Sequence, residues 1–219
     1  MHATMSDMSS KPKGYYSSVR EDMIGYIPAH AKRTLEFGCG TGGFSAMVKE
    51  KLGVEAWAVE IDKESAKAAS ERLDKVICDD AHKAVDLVPD DYFDCIIFFD
   101  ILEHLIDPDS LLTQVKTKLA KDGVIAASIP NVRYYRALVQ LVVHGNWDYK
   151  DHGILDRTHL RFFTHKSIVK MFDALDYRIL QMEGIHPTSS RTFKILNVLL
   201  LNSISDVRYK HFAVVAKPG

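Results

Sequence analysis

The sequence predicts an α/β fold in which helices cover both faces of a mostly parallel sheet. Three observations carry that prediction. Short β-type runs alternate with segments of helical period through the first 130 residues, a glycine-rich turn joins the first strand to the first helix, and two later strands are almost continuously apolar. Continuous apolar strands are buried on both faces, and strand-helix alternation is the pattern of a parallel sheet.

Residues 33–37 form the first β-type run, and residues 42–52 follow with Phe44, Met47, Val48 and Leu52 at helical spacing. A second strand fits residues 54–61, a helix 63–73 and a short third strand 75–78. Residues 92–99 read as a fully buried parallel strand. Asp107-Pro108-Asp109 opens a helix reaching about residue 119, because proline suits the first helical turn. Lys121-Asp122-Gly123 reads as a turn before a further buried strand, 124–129, which Pro130 ends.

Residues 131–163 break the alternation. They are rich in aromatics, His and Arg, with one helical stretch near 134–143, and read as a lid insertion on the acceptor side. Thr164 then caps a helix over 165–175 that places Ile168, Val169, Phe172 and Leu175 on one face. Residues 177–185 and 209–217 read as the last two strands. Between them, residues 193–204 are apolar on more than one face, which predicts a helix buried against the sheet or at a subunit interface. No basic flank accompanies it, which argues against a membrane-surface role.

The chain reads as one domain over residues 1–219, with 1–32 as an N-terminal cap segment. Its 219 residues, 47% hydrophobic and 26% charged, suffice for one sizeable core. Lys and Arg total 28 against 29 acids, so no global basic field recruits nucleic acid or an anionic membrane. Cys39, Cys78 and Cys95 are odd in number and lack CxxC spacing, which fits reduced thiols and a cytoplasmic protein. The N-terminus shows no basic-then-apolar leader pattern. The longest late apolar stretch, 195–201, falls far short of the ~20 residues that span a bilayer.

Gly38, Gly40 and Gly43 satisfy GxGxxG between a strand and a helix, an arrangement that lets a nucleotide-like ligand approach the backbone. In an open parallel sheet, ligands bind beyond the carboxyl ends of the strands. Here those ends carry Glu36, then Glu60 and Asp62, then Asp79 and Asp80, then Asp100 and Glu103. So acidic a rim suits a cation and opposes a pyrophosphate. S-adenosylmethionine, with a sulfonium and an ammonium and no phosphate, fits it better than NAD. Glu60 lies 17 residues beyond Gly43, a suitable place for a carboxylate that accepts from ribose hydroxyls. Taken singly, Asp62, Asp79 and Glu103 also fit solvated loop charge.

The successive stretches Leu35-Glu36-Phe37-Gly38-Cys39-Gly40-Thr41-Gly42, Val59-Glu60-Ile61-Asp62 and Asp100-Ile101-Leu102-Glu103-His104-Leu105 resemble, in order and spacing, the motifs of class I S-adenosylmethionine-dependent methyltransferases. The resemblance implies a Rossmann-like seven-stranded sheet whose last strand is antiparallel. It implies S-adenosylmethionine as cofactor and S-adenosylhomocysteine as product. It sets Glu36 and Gly38 at the methionine moiety, Glu60 at the ribose, and Ile61 with Asp79 or Asp80 at the adenine. Asp100 falls near the sulfonium. Tyr15, Tyr16 and Arg20 belong to a segment that similar proteins fold over the cofactor, with Arg20 toward its carboxylate. Residues 145–164 further resemble methyltransferases associated with bacterial glycosyltransferases and surface-polysaccharide or O-antigen pathways.

Rings mixed with Asp, Arg and His in that segment suit a sugar, so the expected acceptor is a glycan or sugar nucleotide. A neutral hydroxyl is a poor nucleophile and gains from a general base. His159, oriented by Asp156, is the first candidate and His104 the second, although each also fits a purely structural role. His152, Asp156 and His159 offer metal-ligand chemistry, but their irregular spacing argues against it and no metal is expected. His144, His165 and His186 read as surface or packing residues. Arg133, Arg136, Arg157 and Arg161 suit either acceptor phosphates or pairing with nearby acids. Other readings stay open: methylation of an N or O atom on another small metabolite, a noncatalytic cofactor-binding module that meets its partner through 193–204, and a nicotinamide dehydrogenase, which Glu36 and the acidic rim oppose. A homodimer is compatible with the exposed or interfacial reading of 193–204.

Overall fold

A computed structural model describes residues 20–219. Its strands are β1 (Arg33–Phe37), β2 (Glu55–Val59), β3 (Lys75–Ile77), β4 (Phe93–Phe99), β5 (Leu119–Pro130), β6 (Tyr177–Pro187) and β7 (Tyr209–Pro218). The helices are α1 (Gly43–Leu52), α2 (Lys63–Ser70), α3 (Ala81–Ala84), α4 (Pro108–Gln114), α5 (Tyr135–Val142), α6 (His165–Ala174) and α7 (Arg191–Leu199). The seven strands form one sheet in the order β3-β2-β1-β4-β5-β7-β6. Strands β1 to β5 pair in parallel, and β7 runs antiparallel to both β5 and β6.

Alternation along the central strands explains why they are apolar throughout. Leu35, Phe37, Ile96, Phe98, Ile125 and Ala127 point into one layer with Leu111, Leu112, Ile168 and Phe172. Cys95, Ile97, Val124 and Ala126 point into the other with Phe44, Val48, Met23 and Ile27. Phe37 and Phe98, neighbours in register, stack with centroids 5.1 Å apart. Polar side chains are therefore displaced to the strand ends. Because the order reverses between β1 and β4, the carboxyl ends of these neighbours open a crevice at the switch point, where ligands bind in such sheets.

Three sequence expectations change. Residues 121–123 are not a turn but lie inside β5, where Asp122 has φ 64° and the pairing with β4 shifts register between Phe93 and Cys95. A side chain at Gly123 would stand 2.8 Å from the Phe93 carbonyl oxygen, so glycine permits this close kink where a turn was read. Within α6, Ile168 and Phe172 are buried as expected but Val169 is exposed, because α6 rests on the sheet along a narrow stripe. In α7 only Phe193 is buried; Ile195, Leu196, Val198 and Leu199 are exposed, so this helix is not covered by the sheet. Among the described residues no helix is long and apolar enough to cross a membrane.

The lid segment is anchored at its base by a bridge between Asn131 and Phe163. Ile154 and Leu155 fold back onto Ala137, with Tyr134 and Trp147 at the edge of this small cluster.

Candidate functional site

The loop after β1 turns sharply because Gly38 and Gly42 adopt φ 73° and 75°, conformations that side chains resist. Crowding adds to the requirement: a Cβ at Gly38 would stand 2.6 Å from Ile101 Cδ1, and one at Gly42 3.0 Å from Ala69 Cβ. Gly42 is the left-handed residue that starts α1, while Gly43 is already helical. Sequence reasoning assigned the third motif glycine to Gly43 and passed over Gly42, since adjacent glycines hide which one carries the turn. The Gly40 amide donates to Glu60 Oε2 at 2.8 Å, which ties this loop to the end of β2.

Five acids stand at or just beyond the ends of β1, β2 and β3. Glu36 is buried and accepts a 2.5 Å hydrogen bond from Ser45 Oγ. Burial pushes its carboxyl up to about 7; Ser45 opposes the rise and the Glu60 charge adds to it. Glu60, also buried, accepts from the Gly40 and Asp62 amides, and burial raises its carboxyl despite those bonds. Ile61 beside it is half-buried. Asp80 starts α3 by accepting from the His82 amide at 3.0 Å, and Asp79 accepts from the Asp80 amide at 2.8 Å. Both remain half-exposed at the end of β3. Asp62 caps α2 through the Ser65 amide, 2.8 Å away.

Asp100, at φ 54° directly after β4, is bonded by Arg20 Nη1 and accepts from Ser128 Oγ at 2.8 Å. Arg20 also donates to Ser128 at 3.3 Å. The segment before β1 thus reaches the crevice through Arg20; Tyr16 lies outside the described residues. His211 Nε2, on β7, is 3.8 Å from Asp100, and burial drives this imidazole down to about 4, so it is neutral near neutral pH. Neither Ser128 nor His211 belongs to a local motif. Only pairing of β5 with β4 and β7 brings them to Asp100.

Past Asp100, the turn after β4 meets the lid. Glu103 is buried, and neither carboxylate oxygen has a hydrogen-bond partner. Burial holds this carboxyl well above the usual range, and the charges of Asp100 and Asp156 push the same way. His159 Nε2 stands 3.8 Å from Glu103 Oε1, and the rings of His104 and His159 meet edge to face with centroids 4.7 Å apart. Asp156 is fully buried and accepts from the Thr158 amide and hydroxyl at 2.8 and 2.7 Å. Thr158 in turn contacts His104 Nδ1 through its carbonyl and hydroxyl, both at 3.1 Å. Asp156 therefore supports His104 through Thr158, a link that sequence spacing did not suggest. His159 Nδ1 bonds to the Ile154 carbonyl at 3.1 Å.

The His152, Asp156 and His159 set weighed from the sequence is not the one the fold assembles. His152 is exposed, whereas ligand atoms of Glu103, His104 and His159 all lie within 4.8 Å of one another. Of the lid arginines, Arg133 pairs with Asp206 and Arg157 with Asp151, each at 2.8 Å, and Arg161 donates to the Ile106 carbonyl. Arg136 lines a groove of about 340 Å³ with Tyr135, Gln140, His144 and Asn146. Trp147 packs edge to face on Phe162, centroids 5.7 Å apart, and Phe162 and Tyr149 remain exposed.

The family model described as a methyltransferase domain matches residues 10–182. The ubiquinone biosynthesis O-methyltransferase of Aeromonas salmonicida (strain A449) is 25% identical over 189 residues, which cover 82% of this chain and 78% of that protein. Among solved structures, a SAM-dependent methyltransferase of Archaeoglobus fulgidus superposes with a TM-score of 0.64 at 21% identity over 89% of each chain. A phosphoethanolamine N-methyltransferase 2 of Haemonchus contortus, solved in complex with S-adenosylmethionine, superposes with a TM-score of 0.62 at 14% identity over 90% of this chain and 52% of that one. At these identities the solved structures speak for the fold alone.

Proposed function

Since this chain belongs to the methyltransferase-domain family, with S-adenosylmethionine as its cofactor, we propose that it methylates a hydroxyl group on a small polyhydroxylated acceptor, a sugar or sugar nucleotide of bacterial surface-glycan synthesis. The residues fit that cofactor: the glycine turn brings backbone close to a ligand, and the buried Glu36 and Glu60 favour a cation over a pyrophosphate. When bound, S-adenosylmethionine supplies an electrophilic methyl group. In this reading Glu36 and the loop of Gly38, Gly40 and Gly43 hold its methionine end, Glu60 accepts from the ribose, Ile61 with Asp79 or Asp80 borders the adenine, and Asp100 with Arg20 faces the centre.

The observation that carries the hydroxyl assignment is the gathering of Glu103, His104 and His159 just beyond Asp100. A neutral amine needs no help to attack a methyl group, whereas a hydroxyl gains about 10²- to 10⁴-fold from proton removal. Two imidazoles and a carboxylate suit that task, with His159 or His104 facing the acceptor. The exposed Tyr149 and Phe162 and the Arg136 groove support a sugar, since rings stack on apolar sugar faces. The O-methyltransferase relative favours a second reading, a phenolic hydroxyl. Reduced thiols at Cys39, Cys78 and Cys95 suit the cytoplasm, and we take residues 1–219 as one domain.

The test is transfer of labelled methyl from S-adenosylmethionine to panels of sugar nucleotides, catechols and amines. Label on a sugar hydroxyl is the expected result. Label on catechols alone would replace the sugar with a phenol, and label on amines alone would overturn the hydroxyl assignment.

A further inference from the structure

We propose that Glu103, His104 and His159 form a binding site for one divalent transition-metal ion. Two neighbours on the turn after β4 and one residue of the lid converge here, and their ligand atoms lie within 4.8 Å of one another. The convergence is built in by backbone. The amides of Leu160 and Arg161 both donate to the Glu103 carbonyl, at 2.8 and 3.0 Å, which clamps the lid segment carrying His159 against the turn carrying Glu103.

The hydrogen bonds define what the rings present. Backbone carbonyls only accept, so His104 Nδ1, facing the Thr158 carbonyl, and His159 Nδ1, facing the Ile154 carbonyl, each carry the hydrogen. Nε2 of each ring is then the basic nitrogen, and that of His159 faces Glu103. Imidazole ligands of metals are oriented in this way, by a carbonyl or carboxylate on the opposite nitrogen. Asp156 reinforces the arrangement by fixing Thr158 through two bonds.

Glu103 supplies the independent observation. Its carboxylate is about 99% removed from solvent, aimed into this cluster, and neither oxygen has a hydrogen-bond partner. A buried carboxylate without a donor is costly, and the 3.8 Å from its Oε1 to His159 Nε2 is too long for a hydrogen bond. That separation is close to the roughly 3.4 Å between two ligand atoms each about 2.1 Å from a tetrahedral ion. Two imidazoles and one carboxylate favour Zn²⁺, Mn²⁺, Fe²⁺ or Co²⁺ over Mg²⁺ or Ca²⁺, which take oxygen ligands.

Three protein ligands leave a position for an outside oxygen. The role of the ion, though not the site itself, rests on the hydroxyl methylation proposed above. An acceptor hydroxyl bound there would be acidified and its proton would pass to solvent water, the two imidazoles then serving as ligands in place of a base. As its oxygen forms the new bond to the methyl carbon, the bond from that carbon to sulfur breaks and S-adenosylhomocysteine leaves with the electron pair.

Chelator-treated protein is titrated with CoCl₂ and followed by visible absorption, and S-adenosylmethionine affinity is measured by calorimetry on the same samples. The expected result is one saturable equivalent of Co²⁺, competed by Zn²⁺ but not Mg²⁺. Glu103→Gln and His159→Asn should each weaken it at least tenfold while cofactor affinity stays within about threefold of wild type, which also certifies folding. No saturable Co²⁺ binding, or binding unchanged in both variants, overturns the site. Failure of the methyl-transfer reading is read separately, as absence of cofactor binding in wild type.

Discussion

Glu36 shows how one buried side chain links folding to ligand binding. Its carboxyl is raised to about 7, chiefly by burial, with the Ser45 hydroxyl, Glu60 and the Cys39 thiol as neighbours. The fold therefore favours the protonated form: the contribution of Glu36 to stability is complete below the unfolded value of about 4.5 and is lost as pH rises through about 7. A cationic ligand reverses the preference and recruits the ionised form. Affinity for S-adenosylmethionine should rise between about pH 6 and about pH 8, with proton release seen as a buffer-dependent binding enthalpy. Glu36→Gln should lower affinity and flatten that dependence, and a wild-type affinity independent of pH would contradict the account. Local residue signals were legible at Glu36 and Glu60 because each ends a strand beside a recognisable loop. Glu103 stood among the acids in sequence, but nothing local revealed that it is buried against a histidine from the lid, 56 residues later.

At the scale of elements, alternation of strand and helix was readable wherever a segment packs in a single way. Helix α6 is an example: Thr164 forms a capping box with Ser167, and Ile168 and Phe172 fix its buried face. The kink in β5 reads as a turn from sequence because Asp122 and Gly123 carry the composition of one, and only the pairing with β4 shows that one strand pairs at Leu119 and resumes at Val124. For helix α7 periodicity left two readings, burial against the sheet or a subunit interface, and the exposure of every apolar residue but Phe193 removes the first of them. Exposure of Ile195, Leu196, Val198 and Leu199 leaves the subunit-interface expectation as the one to test. Sedimentation over a concentration series should show a dimer that Val198→Glu and Leu199→Glu abolish. A monomer at every concentration would contradict this.

For the whole molecule, the order β3-β2-β1-β4-β5-β7-β6 decides the chemistry. It places the ends of β1 and β4 side by side, so that Glu36, Glu60 and Asp100 surround one crevice, and it returns β7 to set His211 near Asp100. The parallel half of this plan was legible from buried strands and the helical segments that alternate with them. The antiparallel β7 came only through resemblance, because no residue in 209–218 encodes its direction. The central claim is that this crevice selects a cationic adenosyl cofactor. Calorimetric titration of ligand-free protein with S-adenosylmethionine, S-adenosylhomocysteine and NAD, repeated on Glu60→Ala, tests it most directly. The account predicts binding of both adenosyl ligands and not of NAD, weakened at least about tenfold in the variant as a buried ribose contact is lost. Binding of NAD alone, or adenosyl affinities unchanged in Glu60→Ala, would contradict it.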